Sequence, residues 1–207
     1  MTQPTKKQGR GVSRRAFIKG LGTGAVGTAV LPRLLAQETI GTAKGDVPVY
    51  DQKRVTFRVN GEAHTLAVRP DETLLDVLRE RLDLTGAKRV CDRGECGGCT
   101  VWLDGEPVYA CMFLAIRADG REITTVEGLA EGDRLHPVQE AFIEKDGYQC
   151  GFCTPGFLMT SAALLKRKAD PSLDEIKQAL SGNLCRCGNY VKIYEAVAEA
   201  GRKIRRS

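Results

Sequence analysis

The 207-residue sequence predicts an α+β chain, a small mixed-sheet domain followed by a helical one. Three observations carry this. Apolar and polar residues alternate from Arg54 to Val68, and a second hairpin pattern spans Val101–Ala110. After Gly128 the apolar spacing lengthens from two residues to the three or four of a helix face. Finally, the eight cysteines fall into two groups of four, one in each half.

Residues 1–36 read as a signal segment. They hold seven Lys or Arg (Lys6, Lys7, Arg10, Arg14, Arg15, Lys19, Arg33) and no Asp or Glu. Ser13-Arg14-Arg15-Ala16-Phe17-Ile18-Lys19 resembles the twin-arginine export motif, and the Gly-rich apolar run Gly20–Leu31 follows it. That run is too short and too weakly hydrophobic to span a membrane, and no other stretch is long enough. Cleavage after Ala36 is a candidate, although Leu34 breaks the A-x-A pattern. The reading implies periplasmic export of a folded chain. It also accounts for the charge: without this segment the net +5 falls to 24 basic against 26 acidic residues. The basic balance therefore gives no reason to expect a nucleic-acid partner.

Residues 37–53 lack an apolar period and read as a linker. The first domain, 54–128, opens with Val55, Phe57 and Val59 alternating, turns at Asn60-Gly61 and runs back over His64–Val68. Thr73 is placed as the N-cap of a helix over Leu74–Leu82. Val101–Leu103 and Val108–Ala110 make a hairpin around Asp104-Gly105, and Ile123–Val126 adds a short strand. In the second domain, 129–207, His136-Pro137 opens a helix reaching Glu144. Thr154 is placed as the N-cap of the next, with Pro155 at its first position and its end near Lys168. Ser172 with Glu175 makes a capping box for a third helix, ending near Leu180. The fourth runs from Tyr190 to about Arg202. Four short helices with short connections would bury one small core.

The cysteines carry the chemistry. Cys91, Cys96, Cys99 and Cys111 are spaced C-x4-C-x2-C-x11-C, the plant-type spacing for a [2Fe–2S] cluster. Glycines in Cys91-Asp-Arg-Gly94-Glu-Cys96-Gly97-Gly98-Cys99 let backbone N–H groups approach sulfur closely. Cys150, Cys153, Cys185 and Cys187 follow C-x2-C-x31-C-x-C, each pair just before a helix start. Helix N-termini offer free N–H groups and a positive dipole end, which suit an anionic iron–sulfur–thiolate centre.

CDRGECGGC, QCGFCTPG and NLCRCGNY, in this order, resemble the iron–sulfur subunit of the xanthine dehydrogenase/aldehyde oxidoreductase family of molybdenum hydroxylases. The likeness covers about residues 54–202. It implies a β-grasp, plant-ferredoxin-like domain followed by a four-helix domain, each with one [2Fe–2S] cluster. It implies electron flow from a molybdenum–pterin cofactor on a large partner subunit to the helical-domain cluster, then through the ferredoxin-like cluster towards FAD. By motif position, Gln149 and Cys187 would lie against the pterin, Cys187 also holding iron. Exported forms are similar to periplasmic aldehyde dehydrogenases with separate iron–sulfur, FAD and molybdenum chains, so a cytochrome or quinone is also a candidate acceptor.

Zinc and disulfides are the rival uses of the cysteines. Cys91-x4-Cys96 could serve zinc, but Cys185-x-Cys187 is an unusual zinc pair; it is also poor disulfide geometry, and disulfides would leave the Gly-rich loop unexplained. The rival function is a freestanding two-cluster carrier, for which the helical half is superfluous. No nucleophile–base pair, phosphate loop or dinucleotide motif is legible, so no substrate site is expected on this chain. His64 and His136 read as ordinary strand and helix-start residues, Trp102 as a packing residue, and Arg93 and Arg186, between ligands, as solvated loop residues, as charges that raise a cluster potential or as contacts to a partner.

Overall fold

The structure is a computed structural model that describes residues 51–206. The expected signal and most of the expected linker lie outside them. β1 (Lys53–Val59) and β2 (Glu62–Val68) pair antiparallel around Asn60-Gly61, with Thr56 opposite Thr65. Val55, Phe57 and Val59 are buried and their neighbours exposed, as a two-residue period demands. β3 (Thr100–Leu103) and β4 (Glu106–Tyr109) form the second hairpin. β5 (Glu122–Thr124) lies parallel to β1 and antiparallel to β3, giving a mixed sheet of order β2-β1-β5-β3-β4.

Two expected elements come out differently. The helix over Leu74–Leu82 is α-helical only in α1 (Leu74–Asp76), then widens over Val77–Arg81, where Leu82 N–H reaches back five residues to Val77 O at 3.2 Å. The wider turn brings Leu74, Leu75, Val77 and Leu78 all into the core. Thr73 does cap it: its Oγ1 accepts the Asp76 N–H at 3.1 Å, and the Asp76 carboxylate accepts the Thr73 N–H at 2.9 Å. The strand expected over Ile123–Val126 stops at Thr124. Asn60 draws Thr125 away, accepting its N–H and donating to its Oγ1, both at 2.9 Å, and Val126–Gly128 turn as a 3₁₀ segment.

Four helices follow: α2 (Pro137–Glu144), α3 (Thr154–Arg167), α4 (Leu173–Ala179) and α5 (Tyr190–Ile204). His136 caps α2 through Nδ1, which accepts the Val138 N–H at 3.2 Å. Ser172 and Glu175 form the capping box of α4. Phe142, Phe157, Met159, Leu165, Ile176, Ile193 and Val197 fill a core separate from that under the sheet. The start of α3 corrects the expectation for Thr154. Thr154 is already inside the helix, Cys153 is the residue before it, and no side chain caps that end.

The halves pack as one compact unit. Trp102 Nε1–H donates to Met159 O of α3 at 2.9 Å, and Tyr109 Oη–H to Gly182 O at 3.3 Å. Trp102 is therefore a link between halves as well as a hairpin residue.

Candidate metal centres

The first four thiols sit where the sheet meets its loop. Cys99 and Cys111 belong to the sheet core, and Cys96 is also buried; only Cys91 is half-exposed. The loop tightens around sulfur: Glu95 N–H donates to Cys91 Sγ at 3.3 Å. Burial resists the Cys91 thiolate, but the N–H groups of Arg93, Glu95 and Cys96 and the neighbouring Cys96 thiol outweigh it and bring it down to about 7. Burial, together with the neighbouring Cys111 thiol, pushes Cys99 up to about 12.

The second four occupy two chain turns at the N-termini of α3 and α5. Cys185 is buried, Cys153 half-buried, and Cys150 and Cys187 are exposed. The Phe152 N–H and then the Cys187 thiol lower Cys150. Burial, then Cys185 and the charge of Cys150, push Cys153 up to about 12. At Cys187 the Cys150 N–H favours the thiolate, but the Cys150 thiol and burial outweigh it and push it up.

Among the described residues no three His, Cys, Asp or Glu side chains close on one point as a single ion requires. A two-iron core needs something else, four thiolates shared between two irons. Each quartet supplies four thiols from two stretches of chain, with N–H groups that favour thiolate and like charges that iron would offset. The donor sets fit [2Fe–2S] clusters.

Short bonds join the sites. Leu184 N–H donates to Cys96 O at 3.0 Å, so one hydrogen bond links the backbone of a first-site cysteine to the residue before Cys185. Asn183, itself buried, donates from Nδ2 to Gly97 O at 3.3 Å. Gly97 turns there with φ of 68°, and a Cβ would strike Gly182 O and the Asn183 side chain. Gly156 of α3 packs so closely on Gly97 O that a Cβ there would also collide. Cys96, Cys150 and Cys153 line one small apolar cavity of about 70 Å³ with Val90, Phe152 and Leu184.

Gln149 is exposed beside Cys150, and its Nε2 donates to Asn189 Oδ1 at 3.4 Å. Asn189 in turn donates to Asp146 O at 2.8 Å. Tyr190 Oη accepts the Cys185 N–H at 2.9 Å. The motif NLCRCGNY already held Asn183, Leu184, Asn189 and Tyr190, but sequence reasoning gave Asn183, Asn189 and Tyr190 no individual part; their bonds to Gly97, Gln149 and the Cys185 N–H supply it. Arg93 and Arg186 are exposed, and His64 and His136 lie away from both quartets in β2 and before α2.

Residues 57–127 match the 2Fe-2S iron-sulfur cluster binding domain, and residues 125–198 match the [2Fe-2S] binding domain. The aldehyde oxidoreductase iron-sulfur-binding subunit PaoA of Escherichia coli K12 is 41% identical over 94% of this chain and 90% of its own length. The nicotinate dehydrogenase small FeS subunit of Eubacterium barkeri is 47% identical over 70% of this chain and 93% of its own. The crystal structure of quinoline 2-oxidoreductase from Pseudomonas putida 86 contains a chain similar in fold, with TM-score 0.72 and 40% identity. That match covers 76% of this chain and 98% of the other.

Proposed function

This chain belongs to the iron–sulfur subunits of the xanthine dehydrogenase/aldehyde oxidoreductase family of molybdenum hydroxylases, and on that premise we propose how its residues serve electron transfer. Cys91, Cys96, Cys99 and Cys111 hold one [2Fe–2S] cluster in the ferredoxin-like half. Cys150, Cys153, Cys185 and Cys187 hold the other in the four-helix half. Each cluster, when bound, takes up and releases one electron at a time. The substrate, an aldehyde or N-heterocycle, is oxidised at a molybdenum–pterin cofactor on a large partner subunit.

The observation that carries the direction of flow is the unequal exposure of the two quartets. Cys150 and Cys187 open to the surface, beside exposed Gln149, Phe152 and Leu184. That face suits entry from a partner subunit, with Gln149 and Cys187 against the pterin. Asn189 holds the Gln149 amide by its nitrogen, leaving its carbonyl oxygen free to accept from a partner group. The Leu184–Cys96 hydrogen bond and the shared cavity offer a short route to the buried first quartet. From there electrons leave to an FAD subunit, or to a cytochrome or quinone.

The test is anaerobic purification of the complex. The expected result is a molybdopterin-containing chain bound to this one and two distinguishable [2Fe–2S] EPR signals on reduction. A chain that elutes alone with both clusters would instead be a freestanding carrier. Residues 1–36 support export by the twin-arginine route to the periplasm. Replacing Arg14 and Arg15 by Lys is expected to strand the cluster-loaded chain in the cytoplasm, as read by cell fractionation.

A further inference from the structure

Thr154 carries an inference that rests on the two-cluster reading and deepens it. Its Oγ1 is buried and has no hydrogen-bond partner among the described residues. A threonine acting as N-cap would have spent that hydroxyl on a backbone N–H. Here the helix has already begun at Thr154, so the side chain is left over. It directly follows Cys153, one of the four cysteines of the second quartet.

The next residue makes the leftover hydroxyl useful. Helix N-termini serve anions through their first free N–H groups. Pro155 has none, so the first turn of α3 lacks one of its usual donors beside the cysteines. Among the described residues the other uncommitted buried hydroxyl, Ser161 Oγ, lies seven residues along the same helix, about 10 Å away along the axis. It is too far along to serve the same site. Tyr190 Oη is already engaged as an acceptor for the Cys185 N–H.

We infer that the Thr154 hydroxyl donates a hydrogen bond to a sulfur of the helical-half cluster and raises its reduction potential. A donor aimed at sulfur stabilises the reduced cluster more than the oxidised one, because reduction adds negative charge there. Removing the donor makes the cluster harder to reduce.

The test uses the complete complex and potentiometry followed by EPR, a readout independent of turnover. Loss of one signal in Cys150→Ser assigns the other signal to the first quartet. Thr154→Val is then expected to weaken reduction of the helical-half cluster about tenfold, or about 59 mV for a one-electron couple, with the first cluster unchanged. Thr154→Ser keeps the hydroxyl and is expected to keep the wild-type potential. Thr154→Ala, which suits a helix, serves the same comparison if the valine variant loses its cluster. Unchanged potentials in Val and Ala, an equal shift in Ser, or an equal shift of both clusters would overturn the inference. A wild-type complex lacking the second signal would instead overturn the two-cluster reading, and this inference with it.

Discussion

Around the first quartet Cys96, Cys99 and Cys111 are 8%, 4% and 6% exposed, whereas around the second Cys150 and Cys187 lie open. The first site is built into a sheet core, so its cysteines also act as small hydrophobic residues. The second is built from two helix starts that leave one side uncovered. This chain thus buries three thiols of the first site and leaves two of the second open. The contrast shows that burial by one chain can differ sharply between two centres of the same ligand type.

The strongest way to break the contrast is to remove one thiol from each site. Cys99→Ser is expected to abolish the first cluster's EPR signal and to bury a hydroxyl in the sheet core, costing a further ~1–3 kcal/mol. Cys150→Ser is expected to abolish only the second signal, because Cys150 is exposed and has no core role. Thermal unfolding of the two variants side by side measures the difference; equal losses of Tm would mean the second site is as embedded as the first.

The junction gives the next largest effect. Alanine ordinarily gains about 1 kcal/mol over glycine inside a helix. Gly156→Ala is expected to lose ~1–3 kcal/mol instead, since its Cβ would meet the Gly97 carbonyl. Pushing α3 off that loop would also weaken magnetic coupling between the two reduced clusters. A variant as stable as wild type, with unchanged spin coupling in EPR, would show that the halves tolerate separation here.

A smaller effect belongs to the helical half alone. Burial lowers the His136 pKa from the ordinary 6.5, against the opposing charge of Glu131. The unfolded chain therefore binds this proton more readily than the folded one. The resulting stability is fully present above about pH 6.5 and is lost as pH falls below it towards the depressed folded value. Protonation also removes the Nδ1 acceptor that caps α2. Denaturant unfolding of wild type and His136→Asn between pH 5 and 8 is expected to show a flatter profile in the variant, since Asn caps at any pH. Parallel profiles would rule the histidine out. Smallest is Ser172→Ala, expected to cost about 1 kcal/mol by uncapping α4 without touching either cluster potential.

Much of this was legible in advance. Cysteine spacing, the Asn60-Gly61 turn and the caps at Thr73 and Ser172 are local rules, settled by a few neighbouring residues. Thr154 followed the same local signature and misled: Cys153 already has helical backbone angles, so the helix takes in Thr154 and its hydroxyl caps nothing. The widened turns after α1 and the early end of β5 were hidden for a related reason: packing of Leu74–Leu78 and capture of Thr125 by Asn60 outweigh local preference.

The sequence by itself determined that two sets of four thiols exist, and which motifs hold them, because ligand type and spacing are properties of the chain. Only the tertiary structure decided which of those thiols face solvent, and that one Leu184–Cys96 hydrogen bond spans the sites. Those features depend on residues nearly ninety positions apart meeting at Gly97 and Asn183, a contact that packing creates and no local pattern encodes.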